Sequence, residues 1–191
     1  MKILWTGTDS LMLLDYSKRP LSIKIWFWFF RRAIRILERF VSHHLVNSSL
    51  VEKNLLTFKV KKPIEYIETP LKYTKKLPKI PHEGINILYY MPKGFDVKFK
   101  KWLYGYDIFL NLQDKIDANW IVVDGSQDLA EIYPIVDFYL RPNRHDGNSR
   151  LIRECDIQNI PYYYSTQNPS LGKAIMSIKY HRNYENNLHR S

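Results

Sequence analysis

The stretch VDFYLRPNRHDGNSRLIRECDIQNIPYYY, residues 136–164, sets the architecture of this chain. Its apolar run 138–140 stops where the polar loop 143–147 begins, which predicts a buried strand followed by a loop. Apolar residues then recur at helical spacing and predict a helix over about 149–157, with Asn148 or Ser149 as its cap. A second strand is predicted at 162–164, so the stretch is a strand–loop–helix–strand unit.

The same alternation extends toward the amino terminus. Working outward, the sequence predicts strands over 85–90 and 120–123 and helices around 98–116 and 128–133. Alternating strands and helices are typical of an open parallel α/β sheet, on which ligands bind at the carboxyl ends of the strands. We therefore expect a Rossmann-like domain over 71–168, and a last helix within 169–191.

The first 70 residues repeat this pattern on a smaller scale and are expected to form part of a second α/β domain. The predicted elements are strands over 2–5, 43–47 and 64–67, helices over 21–41 and 50–58, and a turn at Thr6-Gly7-Thr8-Asp9. The stretch 60–81 is rich in Lys and Pro and, outside its short strand, is typical of a linker. We place the domain boundary near Pro70.

The helix predicted over 21–41 is the most hydrophobic of the chain. Helical spacing predicts one core-facing stripe, formed by Trp26, Phe29, Phe30, Ala33, Leu37 and Phe40. Phe27 and Trp28 lie off that stripe, together with Lys24 and four arginines. This pairing is typical of a helix on an anionic membrane surface, so residues 24–39 are a candidate lipid contact. The other interpretation is a helix buried on two sides.

Composition narrows the class of protein. With 191 residues, 45% of them hydrophobic, the chain can fill one domain and part of another. Basic residues interrupt the best candidate for a membrane span, and no signal peptide is evident. Cys155 is a single cysteine, which fits a reducing compartment, so we expect a cytoplasmic protein, peripheral at the inner face of the membrane if it binds lipid. The net charge of +10 favours anionic partners: nucleotides, lipids or nucleic acid.

The loop and helix start at 143–150 have the chemistry of an anion site. Glycine in the loop lets backbone approach a ligand, and the free N–H groups of the helix start can receive a diphosphate. The candidate binding residues are Arg144, His145, Gly147, Asn148, Ser149 and Arg150. Glu154 lies one turn beyond Arg150, where its carboxylate can accept hydrogen bonds from the paired hydroxyls of a ribose.

The pattern Asp146-Gly147, Glu154 after seven intervening residues, and Asn159-x-Pro161 resembles a known signature. It is similar to the paired acids of retaining glycosyltransferases of the GT-B fold, the group 1 glycosyl transferases. In that family the second acid holds the nucleotide ribose and the first lies near the donor sugar. The resemblance implies that Glu154 binds the ribose and that Asp146 is the catalytic acid on the sugar side. It also implies that residues 1–70 are a remnant of the acceptor-side domain.

Two other loops extend the resemblance. Lys93 and Lys98 stand where the family has a basic pair on the donor diphosphate, and Gly125 lies in a turn similar to the family's glycine-rich turn near the base. The basic side chains would stabilise the charge of the leaving diphosphate, so the resemblance implies no metal and no cofactor besides the donor.

The function implied by the resemblance is transfer of a sugar from a nucleoside-diphosphate sugar to an unknown hydroxyl acceptor, in polysaccharide or lipid-linked glycan synthesis. Two alternatives stay open within this class: a non-catalytic nucleotide-sugar-binding protein, or one subunit of a split enzyme whose partner subunit supplies the acceptor domain. A basic nucleic-acid-binding protein is a further alternative, motivated by the net charge.

Overall fold

The computed structural model of the chain describes residues 1–5, 13, 21–93 and 97–188, with the side chains of residues 23, 97 and 182–188 outside the description. The turn predicted at Thr6-Gly7-Thr8-Asp9 lies outside the described residues. Contacts between residues divide the chain into two units, Met1–Pro70 with Asp146–Asn148 and Leu71–His145 with Ser149–Ser191. Each unit is built on its own parallel sheet.

The first unit has a three-stranded sheet in the spatial order β1-β2-β3. Its elements are β1 (Lys2–Trp5), α1 (Leu21–Leu37), β2 (His43–Val46), α2 (Ser49–Phe58) and β3 (Ile64–Tyr66), with a 3-10 turn at Glu38–Phe40 after α1. Both strand pairs are parallel, and the crossover connections that parallel neighbours need contain α1 and α2. Trp5, Val46, Val51 and Leu55 form the buried core of the unit with Ile34.

The face of α1 that packs on this core differs from the predicted one. Phe27 and Ile34 are buried, whereas most of the predicted stripe is exposed, including Trp26, Phe29 and Phe40. The prediction was wrong because α1 is apolar on more than one side, so spacing alone does not select the buried side. Arg35 helps to fix the rotation of the helix, since its guanidinium donates to the carbonyls of Phe58 and Lys59 at the end of α2.

The second unit has a four-stranded parallel sheet in the order β5-β4-β6-β7. Its strands are β4 (Asn86–Tyr90), β5 (Asn119–Val123), β6 (Phe138–Pro142) and β7 (Tyr162–Ser165). Its helices are α3 (Val97–Leu103), α4 (Tyr106–Gln113), α5 (Leu129–Ile132), α6 (Arg150–Gln158) and α7 (Leu171–Leu188), with a 3-10 turn at Tyr133–Ile135. The predicted fold class, α/β with parallel sheets, is confirmed.

Both faces of this sheet are buried, as parallel sheets require. On one face Tyr89 and Leu140 pack with Phe109 of α4 and Ile178 of α7. On the other face the core contains Leu88, Val123 and Tyr139 together with Leu151, Ile152 and Cys155 of α6. The sheet therefore holds α6, with the predicted ribose-binding glutamate, against one side of the strands.

One helix predicted around 98–116 is two helices, α3 and α4, separated at Gly105. Gly105 has a φ of +65°, a left-handed conformation that glycine adopts without strain. A Cβ at this position would also overlap the carbonyl oxygen of Pro142, at the end of β6. The break is thus set by close approach to a distant part of the chain, which helical spacing cannot predict.

Candidate functional site

The strand order of the second unit marks one end of its sheet as the candidate site. Ligands of open parallel sheets bind beyond the carboxyl ends of two neighbouring strands whose connections run in opposite directions. Here those strands are β4 and β6, because β5 is added on one side of β4 and β6 on the other. The segments that follow them, 91–93 and 143–145, both contain predicted site residues.

Lys93 lies at this end of the sheet with its side chain 79% exposed. Its Nζ is 2.6 Å from Oδ2 of Asp124, which follows β5. Lys100 donates from Nζ to the Lys93 carbonyl at 2.6 Å and so fixes the backbone there. Lys98 is an exposed residue of α3, the next helix. Because the Lys93 ammonium faces solvent, an anionic ligand can compete for it with Asp124, whose side chain is 16% exposed.

The turn after β5 is organised around Asp124. Oδ1 of Asp124 accepts hydrogen bonds from the Ser126 backbone N–H at 3.0 Å and from the Ser126 hydroxyl at 2.6 Å. The hydrogen bonds from Lys93 and Ser126 hold the pKa of Asp124 well below its ordinary value. Gly125 has a φ of +96°, and a Cβ there would lie 3.3 Å from the Tyr90 hydroxyl. This turn therefore needs glycine for its backbone conformation, whether or not a base binds beside it.

Arg144 joins the loop after β6 to the helices α3 and α4. Its backbone N–H donates to the Leu103 carbonyl at 2.8 Å. Its guanidinium donates to both carboxylate oxygens of Asp107, at 2.8 and 2.7 Å, and to the Trp102 carbonyl at 2.7 Å. The hydrogen bond from Arg144 lowers the pKa of Asp107. Arg144 thus has a positioning role within this chain, and its contact with a diphosphate stays a prediction.

The loop residues predicted to bind the donor fall in different units. His145 belongs to the second unit, whereas Asp146, Gly147 and Asn148 group with the first. Within the first unit a Cβ on Gly147 would lie 2.6 Å from Oγ of Ser48. The glycine is therefore needed for close packing inside the chain. The sugar-side role of Asp146 stays a prediction.

The start of α6 follows the predicted pattern. Ser149 is buried and caps the helix, its Oγ accepting the Ile152 N–H at 3.4 Å. Arg150 is exposed, and its Nε lies 3.6 Å from Oε1 of Glu154. Asn159 ends the helix with a φ of 54°. Asparagine tolerates this left-handed conformation, which is common just after the end of a helix.

Glu154 is completely buried, and this chain supplies donors to both of its carboxylate oxygens. Oε1 accepts the Lys72 backbone N–H at 3.0 Å, and Oε2 accepts the Tyr133 hydroxyl at 2.7 Å. Burial and the bond to Glu154 raise the pKa of Tyr133, which keeps its hydroxyl protonated as a donor. The ribose role of Glu154 stays a prediction, and it requires that ligand hydroxyls replace these two donors.

The Lys72 contact belongs to a segment that sequence reasoning missed. Residues 72–80, within the stretch predicted as a linker, are tied to the second unit, and we call them the strap. The Leu77 N–H donates to Oε1 of Gln158 at 2.8 Å, and Gln158 donates back to the Lys75 carbonyl at 2.9 Å. The Ile80 N–H donates to the Pro134 carbonyl at 3.0 Å. The signal in the sequence was two apolar side chains in the basic run, Tyr73 and Leu77, which pack on the core beside α6.

A groove of about 890 Å³ lies at the opposite, amino end of the sheet. Its lining includes Phe138, Cys155, Tyr162, Met176, Tyr180 and His181. Burial raises the pKa of the Cys155 thiol, which excludes a reactive thiolate near neutral pH. None of the predicted site residues lines this groove, so it is separate from the candidate site.

Comparison with known proteins leaves the function open. No protein-family model matches the sequence, and no curated protein matches it. Among residues 1–5, 13, 21–93 and 97–188, no three His, Cys, Asp or Glu side chains come together as metal ligands. In the same described ranges, no helix combines the length and apolar character needed to cross a membrane.

Proposed function

We propose that the second unit binds the diphosphate of a nucleoside-diphosphate sugar beyond the carboxyl ends of β4 and β6, and that the chain is a glycosyltransferase of the GT-B type. The observation that carries the proposal is the strand order β5-β4-β6-β7, which opens a crevice at the end of the sheet where Lys93 is exposed. Open parallel sheets with basic residues at that position suit phosphate ligands. The sequence resemblance supports the identity of the ligand.

In this proposal Lys93 and Lys98 bind the diphosphate. Cleavage of the bond between the anomeric carbon and the phosphate oxygen leaves negative charge on the diphosphate, which the two ammonium groups stabilise. The acceptor hydroxyl oxygen forms the new bond to the anomeric carbon, and its proton passes to an oxygen of the leaving diphosphate. By resemblance, Asp146 lies on the sugar side. The reaction would take place in the cytoplasm, as expected from the sequence.

Glu154 has a supporting part in this proposal. Because its carboxylate is buried and bonded to Tyr133 and the strap, its structural effect is to fix α6. We leave the predicted ribose role of Glu154 out of this proposal, because ligand hydroxyls would first have to displace the Tyr133 hydroxyl and the Lys72 N–H. A second candidate function, donor binding without transfer, is favoured by the engagement of Arg144 with Asp107, which leaves fewer cations for a leaving diphosphate.

Thermal melting against UDP-, GDP-, ADP- and CMP-sugars tests the proposal, because a ligand that binds the folded state raises the melting temperature. We expect one nucleoside diphosphate to stabilise the chain and the matching nucleoside to have a smaller effect. The control is Lys115→Ala, an exposed lysine of the second unit outside the candidate site. Stabilisation that is lost in Lys93→Ala and kept in Lys115→Ala supports the proposal. If no donor raises the melting temperature, the proposal is contradicted. If one donor does, an assay for release of its sugar tells a glycosyltransferase from a protein that only binds the donor.

A further inference from the structure

Helix α1 presents an apolar surface to solvent that the core of the first unit does not use. Ile25, Trp26, Phe29 and Ile36 are each between 50% and 60% exposed. With 3.6 residues per turn, Ile25, Phe29 and Ile36 lie on the opposite side of the helix from the buried Phe27 and Ile34, and Trp26 lies on the flank, about 90° away from the buried side. We call these four residues the α1 face. Monomeric proteins rarely expose contiguous large apolar side chains, so the α1 face indicates an interaction surface.

The charges around the α1 face identify the partner. Helix α1 contains four basic residues and no acidic residue, and one of the four, Arg35, is bonded to the end of α2 and not available at the face. Arg32 is exposed at the edge of the face, with its guanidinium 5.3 Å from the centre of the Trp28 ring. Arg39, also exposed, follows in the 3-10 turn. Glu38, an acid in the same 3-10 turn as Arg39, is buried, so it does not offset these charges at the surface.

An exposed apolar and aromatic face bordered by arginines is the arrangement of a helix that lies in the headgroup region of a membrane. Trp and Phe side chains bury their rings at the boundary of the acyl chains, and arginines bind anionic headgroups. We propose that the α1 face docks the first unit on an anionic lipid bilayer, with the helix parallel to the surface. This proposal does not rest on the function proposed for the second unit.

Co-sedimentation of the full chain with vesicles tests this docking. One set contains equal parts of phosphatidylglycerol and phosphatidylcholine, and the other contains phosphatidylcholine alone. The chain is expected to bind the anionic vesicles and to be released by salt, because screening weakens the attraction to the headgroups. The double variant Phe29→Ser, Ile36→Ser is expected to bind about a hundredfold more weakly, since burial of each side chain accounts for roughly tenfold. The double variant Arg32→Glu, Arg39→Glu is expected to weaken binding by about tenfold or more.

The matched control is Met176→Ser, Tyr180→Ser. These two side chains are 72% and 76% exposed on α7, in the second unit, so the variant removes exposed apolar area outside the α1 face. It should bind anionic vesicles as the wild type does. Far-ultraviolet circular dichroism and melting temperatures of all variants should match the wild type, because every substituted side chain is exposed.

Three results would overturn the proposal. The first is equal binding to neutral and anionic vesicles, or no binding to either. The second is loss of binding in the α7 control as large as in the α1 variants. The third is a dimer in size-exclusion chromatography that the serine variants of α1 dissociate, because the α1 face would then join two copies of the chain.

Discussion

Each unit contains a buried glutamate that accepts a backbone N–H from a connecting segment of the same unit. In the first unit Glu38 accepts the backbone N–H of Lys61. In the second unit Glu154 accepts the backbone N–H of Lys72, at 3.0 Å. Buried carboxylates need donors to offset the loss of water, and here the chain itself supplies them. Glu154 fits the paired-acid pattern of the sequence and Glu38 does not. Both nevertheless have the same kind of environment, a buried site with donors from the chain.

The two glutamates differ in their ring partners. Nε2 of His44 lies 3.5 Å from Oε1 of Glu38, while Nδ1 of His44 accepts the Trp5 indole N–H at 3.0 Å. Glu154 instead accepts the Tyr133 hydroxyl at 2.7 Å. Histidine titrates near neutral pH and tyrosine does not. The environment of Glu38 is therefore expected to respond to mild acid through its histidine partner, whereas that of Glu154 has no histidine partner among these contacts.

The largest expected effect is that of Glu154→Ala, which leaves the Tyr133 hydroxyl and the Lys72 N–H buried without an acceptor. We expect the free energy of unfolding to fall by about 3 kcal/mol, since each unpaired donor costs roughly 1 to 3 kcal/mol. Urea unfolding followed by circular dichroism measures this loss. Glu154→Gln keeps one acceptor oxygen and should lose less than half as much. Equal losses in the two variants would show that the carbonyl acceptor does not matter.

Glu38→Ala should have a smaller effect on the first unit. The Lys61 N–H can turn toward solvent because Lys61 is exposed, so we expect a loss of about 2 kcal/mol. The control is Glu65→Ala, which removes the exposed pair with Lys2 in the same unit. Hydrogen exchange in peptides of β2 would measure both variants separately from the second unit. If Glu65→Ala destabilised β2 as strongly as Glu38→Ala, burial of Glu38 would not be the cause.

Tyr133→Phe removes one donor to Glu154 and keeps the ring that packs against Tyr73. The expected loss is about 1.5 kcal/mol, because a hydrogen bond to a charged group is worth roughly 1.5 to 3 kcal/mol and the ring contact remains. Denaturant unfolding checks this value. The double variant with Glu154→Ala should lose less than the sum of the two single variants, because the two residues share one bond. Full additivity would contradict the pairing.

The smallest expected effect is the pH response of the first unit. Burial lowers the pKa of His44 below its ordinary value of 6.5, so the unfolded chain binds the proton more tightly. Stability is then complete above pH 6.5 and falls as the pH drops below that value. Hydrogen exchange in peptides of β2 should quicken relative to peptides of β6 as the pH is lowered, after correction for intrinsic rates. His44→Gln should remove this difference in pH dependence between the β2 and β6 peptides. If the difference persists in the variant, a group other than His44 causes it.

The sequence predicts the succession of strands and helices because each element depends on local spacing. The cap at Asn148 or Ser149 and a strand over 138–140 follow from a few neighbouring residues, and the structure has the cap at Ser149 and the strand over Phe138–Pro142. The break at Gly105 and the buried side of α1 depend on distant contacts, with Pro142 and with the end of α2, so spacing could not give them.

The candidate site likewise has a part that the sequence could predict and a part that it could not. The exposed position of Lys93 follows from its place after a predicted strand. The burial of Glu154 could not be predicted, because its donors come from residues 21 and 82 positions away in the sequence. A carboxylate one turn into a helix has the same local pattern whether it meets a ligand or a segment such as the strap.

Calorimetric titration of the stabilising nucleoside-diphosphate sugar tests most directly whether the diphosphate binds at the carboxyl end of the sheet. The titration compares the wild type, the double variant Lys93→Ala, Lys98→Ala, and Glu154→Gln. We expect the double variant to bind about a hundredfold more weakly, because removing each ammonium group from the diphosphate weakens binding roughly tenfold. We expect folded Glu154→Gln to bind as the wild type does. Normal affinity in the lysine variant, with loss of binding in folded Glu154→Gln, would contradict this account and assign the ligand contact to Glu154.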